Sequence, residues 1–262
     1  FIADIGANHD GDLQRAFKLI ELAKESGAHA AKFQNFKANT IVSQEGFNNL
    51  NVSHQKNWKK SVFEVYEDAS IPDDWTHKLK EKCEEYEIDY FTSPYDIQSV
   101  DLVDPFVDVY KIGSGDITWT EILQYIAQKG KPVFLATGAS TFEDVERAMK
   151  VLESKNSNIV LMQCNTNYTA NDKDNFKHIN LNVLKKYQEL FPNTILGLSD
   201  HTTGEETVLG SVVLGARVIE KHFTLNNDLI GPDHKFSMNP KSWENMVKKT
   251  RSIEKSLGDG LK

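Results

Sequence analysis

Ile195-Leu-Gly-Leu-Ser-Asp-His201 and Val218-Ile-Glu-Lys-His222 each run a short apolar stretch into a histidine, and a Gly-bearing, helix-like stretch separates them. The pattern predicts two neighbouring parallel strands that end in imidazoles. Adjacent strands lie about 4.8 Å apart, so residues at the same level of each can converge on one ion or one substrate oxygen. A lone histidine is more often a hydrogen-bonded core or surface residue. A pair at matched strand ends points instead to a metal site.

The same rhythm fills the rest of the chain. Apolar runs of about five residues alternate with amphipathic stretches of roughly ten to fifteen, the pattern of βα repeats around a parallel sheet. The runs cover residues 1–6, 29–34, 88–92, 107–112, 132–137, 159–164, 195–199 and 218–222. Eight such units predict an α/β fold of TIM (β/α)8 type, one barrel domain over residues 1–262 with its active site at the carboxyl ends of the strands. Ser140-Thr-Phe-Glu143 reads as a capping box before the periodic run Val145, Ala148, Met149 and Leu152. Pro72 opens a helix over residues 73–86. Residues 35–70, with Trp58, Phe63 and Tyr66, are too many for an ordinary βα loop and are expected to cover the barrel mouth. Residues 165–179, rich in Asn and Asp, read as a flexible active-site loop.

Composition narrows the function classes. The 262 residues are 39% hydrophobic, enough for a substantial core. No stretch approaches the roughly 20 apolar residues that span a bilayer. The chain opens at Phe1 inside a strand-like run, so a longer gene product is expected. Two cysteines, Cys83 and Cys164, make no disulfide framework and suit a reducing, cytoplasmic setting. A net charge of -8, from 38 acidic and 30 basic residues, argues against nucleic acid or an anionic membrane as partner.

Nearly every strand end carries a polar group. In order they are Asp4 with Asn8-His9, Lys32-Phe-Gln34, Thr92-Ser93, Lys111-Ile-Gly-Ser114-Gly-Asp116, Thr137-Gly138, Cys164-Asn165-Thr166-Asn167-Tyr168, Ser199-Asp200-His201 and Glu220-Lys221-His222. Singly each has a structural explanation. Jointly they require a ligand or ion, because a buried, unpaired charge costs several kcal/mol. The ammonium groups of Lys32 and Lys111, flanked by the hydroxyls of Ser93, Ser114 and Ser199, form a receptor for phosphate or carboxylate. Two imidazoles leave open positions around an ion, which suits Mn²⁺ or a similar divalent cation better than structural Zn²⁺. Asp4 and Asp233 are candidates for hydroxyl recognition or proton transfer, or for a turn or supporting carboxylate.

With these residues in hand, the chain resembles the N-acetylneuraminate (sialic acid) synthases and their relatives making legionaminic, pseudaminic and spore-coat sugars. The resemblance runs the whole length and rests on Ile2-Ala-Asp-Ile-Gly-Ala-Asn-His9, Ala31-Lys-Phe-Gln34, Tyr110-Lys-Ile-Gly-Ser-Gly-Asp116, Ala136-Thr-Gly138, Gly197-Leu-Ser-Asp-His-Thr202, Glu220-Lys-His-Phe-Thr224 and Gly231-Pro-Asp-His234. It implies a transferase that condenses phosphoenolpyruvate with an N-acyl-mannosamine-type sugar to give a nine-carbon 2-keto-3-deoxy acid and phosphate. His201 and His222 then fall on metal positions, with Mn²⁺ expected and Mg²⁺ or Co²⁺ as alternatives. Lys32, Ser93, Lys111, Ser114, Thr166 and Ser199 fall on phosphoenolpyruvate positions. Asp4, Gln34, Tyr168 and Asp233 fall on positions facing the sugar, and Asp116 on an acidic position suited to proton handling.

The resemblance also implies a homodimer and, after the barrel, a small antifreeze-like domain that residues 1–262 do not include, whose arginine reaches the partner's sugar site. Asp4 departs from the family's usual Glu by one methylene, and Tyr168 is followed by Thr169 where Pro is usual. Two rival readings stand beside this one. A 3-deoxy-aldulosonate phosphate synthase would need a second basic pocket for a sugar phosphate. A non-catalytic barrel that binds phosphoenolpyruvate or sugar would have little use for an open Lewis acid.

Overall fold

All eight expected strands form, and they pair in parallel, in chain order, into a closed barrel in which β8 returns to β1. The structure, a computed structural model, describes residues 1–48, 60–168 and 172–261. β1 (Ile2–Asp4) leads to α1 (Leu13–Glu25) and β2 (Ala30–Asn35), after which α2 (Ala38–Ile41), α3 (Gln44–Asn48) and α4 (Val62–Ala69) precede α5 (Trp75–Glu85). β3 (Asp89–Pro94), α6 (Ile97–Val103), β4 (Tyr110–Ile112), α7 (Thr120–Gln128), β5 (Val133–Ala136) and α8 (Phe142–Glu153) continue the alternation. β6 (Ile159–Cys164) is followed by α9 (Asp172–Ile179) and α10 (Val183–Leu190), and β7 (Ile195–Asp200), α11 (Glu206–Val213), β8 (Val218–His222) and α12 (Pro240–Leu257) complete the chain. No helix among the described residues is long and apolar enough to cross a membrane.

Local chemistry sets the boundaries. Asp12 caps α1, accepting from the Gln14 and Arg15 amides at 2.8 and 3.3 Å. The capping box of α8 sits one residue later than the sequence predicts, between Thr141 and Asp144. The Ser140 hydroxyl is already spent on the Thr137 carbonyl at 2.7 Å, which leaves Thr141 to cap. The fourth strand is shorter than expected because Asp104–Phe106, with Pro105, forms a 3₁₀ turn, so pairing starts only at Tyr110. α5 likewise starts at Trp75, whose amide bonds the Pro72 carbonyl at 2.9 Å.

The described part of the long excursion after β2 carries three short helices and packs at the mouth as expected. Phe36 stacks near Tyr66 and Tyr95, with centroids 5.6 and 5.9 Å apart. Trp58 lies outside the described residues. The Asn-rich segment after β6, expected as a loop, is helical over Asp172–Ile179.

The core has two layers. Phe91 and Phe134, 5.7 Å apart, fill the barrel interior, while Leu19, Leu79, Leu123, Met149 and Trp243 seal the strands against the helices. Trp243 of α12 is fully buried, edge-on to Phe223 beyond β8 at 5.5 Å. Trp243→Ala should therefore cost about 3–5 kcal/mol, the range for losing a buried large aromatic. Urea unfolding of the two proteins would measure it, with Trp243→Phe losing less.

Candidate active site at the barrel mouth

Strand register decides which side chains meet. Asp4 pairs with Lys32 and with His222, Gln34 with Ser93, Cys164 with Ser199, and Ser199 with Glu220. Residues paired across parallel strands share a face, and alternate residues share it too. Asp4, Lys32, Gln34, Ser93, Lys111, Cys164, Ser199, Glu220 and His222 consequently turn inward at one end of the barrel, where chemistry collects in this architecture.

Four charges occupy the floor of that mouth. Lys32 Nζ lies 2.6 Å from Asp4 Oδ2 and 3.8 Å from Glu220 Oε1, and Lys111 Nζ lies 2.7 Å from the same Glu220 oxygen. All four side chains are at most 5% exposed. The two ammonium groups, read from sequence as an open anion receptor, are thus already paired, because neither could be buried bare. Ser199 Oγ donates to Glu220 Oε1 at 3.1 Å, and Gln34 Nε2 to Asp4 Oδ2 at 3.1 Å. Burial alone would push Asp4 upward, but Lys32 and then His222 hold its carboxyl below the ordinary range. Glu220 is likewise held down against burial by Lys111 and Lys32, and burial of Lys32 is outweighed by Asp4 and Glu220, which raise it. Among the described residues Ser93 Oγ and Glu220 Oε2 are buried without a hydrogen-bond partner, two polar atoms that a ligand could satisfy.

Beside this floor, His201 and His222 face each other with ring centroids 5.4 Å apart. His201 Nδ1 donates to the Asn165 carbonyl at 2.8 Å, a bond that leaves the lone pair on Nε2. His222 stands between carboxylates, Nε2 at 3.4 Å from Asp4 Oδ2 and Nδ1 at 3.5 Å from Asp233 Oδ2. Its Nδ1 is buried without a hydrogen-bond partner. Burial lowers His222, yet Asp4 and then Asp233 outweigh it and hold the ring above the ordinary histidine range. Such a point favours a cation. Among the described residues no three His, Cys, Asp or Glu side chains form a metal-binding group. Two imidazoles on their own could hold only an ion whose other positions are taken by water or substrate oxygen, and they make no closed structural site.

Asp233 is positioned by the Ala7 amide at 3.0 Å, and Gly6 makes the approach possible. Its φ is +50°, and a Cβ there would meet Asp233 Oδ2 at 2.7 Å and His222 Cε1 at 2.9 Å. Tyr168, 36% exposed, lies over His201 at 4.3 Å, and Phe236 packs on His222 at 5.0 Å. Thr166 Oγ1 donates to Ser114 Oγ at 2.9 Å, joining the turns after β4 and β6. Asp116 adjoins Tyr95 across Gly113, and its Oδ2 is buried without a partner. Burial pushes Asp116 up to about 6, with Lys111 drawing it back.

Every site residue expected from sequence reaches this end of the barrel, while four contributors were missed as site residues. Glu220 could have been read, since it sits two residues before His222 and shares its face. Cys164 shares a face with Ser199; burial raises its thiol, but a hydrogen bond to His201 holds it lower. Phe236 and the Asn165 carbonyl reach the imidazoles through loop geometry that no local pattern announces.

The profile described as the NeuB family matches residues 19–262. The chain is 36% identical over 269 residues to the N,N'-diacetyllegionaminic acid synthase of Campylobacter jejuni, covering 100% of this chain and 78% of that protein. It is 32% identical over 266 residues to the N-acetylneuraminate-9-phosphate synthase of Homo sapiens, covering 100% and 72%. The crystal structure of the N-acetylneuraminic acid synthetase of Leptospira borgpetersenii in complex with citrate superposes with a TM-score of 0.88 at 29% identity, over 99% of this chain and 85% of that one.

Asp116 gives a measurable signature. A carboxyl raised from 3.8 to about 6 on folding lets the folded state hold its proton while the unfolded chain loses it, so stability falls as pH climbs through that window. The full cost above it is about 3 kcal/mol. Urea unfolding between about pH 4 and pH 7 should show this decline in the wild type and a flatter profile in Asp116→Asn; parallel profiles would refute the assignment.

Proposed function

The chain belongs to the NeuB family, and we propose that it condenses phosphoenolpyruvate with an N-acylated amino sugar of N-acyl-mannosamine type, giving a nonulosonic acid and phosphate. The observation that carries this reading is the floor of the mouth, where two buried ammonium groups and an unpartnered Ser93 hydroxyl lie beside facing imidazoles. A ligand with a carboxylate and a phosphate engages both lysines at once. Asp4 and Glu220 then give up part of their pairing to the incoming anion.

Each residue has a task in that reaction. Lys32, Lys111, Ser93, Ser114, Thr166 and Ser199 hold phosphoenolpyruvate, while Asp4, Gln34, Tyr168 and Asp233 face the open-chain sugar. The enol carbon attacks the aldehyde carbon, a C–C bond forms, and the former aldehyde oxygen takes up a proton. Positive character at the carbon bearing phosphate is met by water, whose proton the free Glu220 Oε2 accepts. The C–O bond to phosphate then breaks with its electron pair on the departing phosphate, which takes up the hydroxyl proton as the 2-keto group forms. The lysines offset charge on carboxylate and leaving group throughout. Asp116, with its raised affinity for protons, exchanges one with the mouth as charge shifts. A Mn²⁺ ion held by His201 and His222, with Mg²⁺ or Co²⁺ as substitutes, would supply Lewis acidity toward the aldehyde oxygen.

The same reading assigns the protein to the cytoplasm as a homodimer. The free thiols of Cys83 and Cys164, both buried, support a reducing compartment. The dimer rests on family likeness.

Incubation with Mn²⁺, phosphoenolpyruvate and a panel of N-acylated hexosamines should release phosphate only when an accepted sugar is present. Lys111→Met should lower kcat/KM at least about 100-fold, the order lost with one preorganised charge-stabilising donor. No phosphate release with any acceptor would defeat the proposal.

A further inference from the structure

Outside the barrel wall, opposite the imidazoles, lies a second buried charge pair that the chemistry above does not use. β7 and β8 end in register, with Asp200 opposite Lys221 as their last pair. Alternation sends both side chains outward, while the next residue along, His201 or His222, enters the mouth. Lys221 Nζ lies 2.5 Å from Asp200 Oδ2, and neither side chain is more than 1% exposed. Lys221 Nζ also donates to the Thr202 carbonyl at 2.7 Å. Asp200 accepts from the Thr202 amide at 3.1 Å, the Thr202 hydroxyl at 2.8 Å and the Thr207 hydroxyl at 2.6 Å. The set reaches both chain neighbours of His201, the residue before His222, and, through Thr207, helix α11.

Stability alone is a poor reason for such a set, since well-packed apolar residues often replace a buried ion pair without loss. Directionality is what charges and fixed donors add. The four hydrogen bonds that Asp200 accepts and the three that Lys221 Nζ donates, one of them shared, fix the relative placement of the two strand ends, whereas apolar side chains tolerate sliding. We propose that the Asp200–Lys221 pair is a positioning device that sets the spacing of the His201 and His222 imidazoles from behind the sheet. It touches neither substrate nor ion. Its binding readout rests on the ion site proposed above; its geometric readout does not.

The test replaces the pair by apolar residues in the full chain, Asp200→Leu with Lys221→Met, and separately makes the milder Thr207→Val. The double variant should fold with a Tm at or above the wild type. Its crystal structure should show the imidazole centroids displaced from their 5.4 Å separation. Mn²⁺ affinity by calorimetry should fall at least about tenfold, the scale seen when support behind metal ligands is lost. kcat should fall while KM for phosphoenolpyruvate stays within about twofold, because the lysine floor is untouched. Thr207→Val should lose a smaller part of the affinity at unchanged Tm. Undiminished Mn²⁺ affinity in the folded double variant, or in Thr207→Val should the double variant not fold, overturns the proposal. A wild type that takes up no Mn²⁺ overturns the ion site instead, and the crystal structures then decide: an unchanged centroid separation ends the positioning role, a changed one upholds it.

Discussion

The mouth of this barrel is governed by a neutrality condition. Asp4, Lys32, Glu220 and Lys111 are all buried, and each would cost several kcal/mol without an opposite charge at hand. They satisfy one another in a chain of alternating sign. An anion entering the site therefore exchanges partners with two carboxylates. The affinity it gains is smaller than two bare ammonium groups would give, but the selectivity is greater. A singly charged ligand can relieve only one of the lysines, and a ligand with two separated anionic groups relieves both.

That condition is met only when the barrel closes. Asp4 comes from the first strand and Glu220 and His222 from the last, and they adjoin because β1 pairs with β8. The seam between the ends of the sheet thus runs through the centre of the site. Folding of the first half alone would leave Lys111 without Glu220, and folding of the second half alone would leave Glu220 without either lysine. The Phe223 amide, bonded to the Asp4 carbonyl at 2.8 Å, ties the same seam from the backbone side.

Much of this was legible in the residues. Eight apolar runs at βα spacing and histidines at the ends of two of them were enough for the barrel and its working end. Period-two alternation counted back from His222 reaches Glu220 and supplies that carboxylate as well. The capping box of α8 slipped by one residue because Ser140 and Thr141 are chemically equivalent caps, and only the Thr137 carbonyl distinguishes them. Phe236 and the Asn165 carbonyl were out of reach for a different reason. Their contacts with the imidazoles depend on loop paths over long sequence separations, which leave no periodic trace.

The segment between β2 and α5 bears on how such a protein diversifies. Tyr66 in α4 is raised by burial and then by the Asp233 carboxylate, so the described part of this segment lies within electrostatic reach of Asp233 at the mouth. Yet it is spliced between two barrel elements, and its described residues take no part in strand register. Lengthening or rewriting it would recast the room above Asp233 while leaving the lysine floor as it is. Inheritance can accordingly treat the choice of acceptor and the grip on the anion as separate traits, one held in a replaceable roof and the other in the staves.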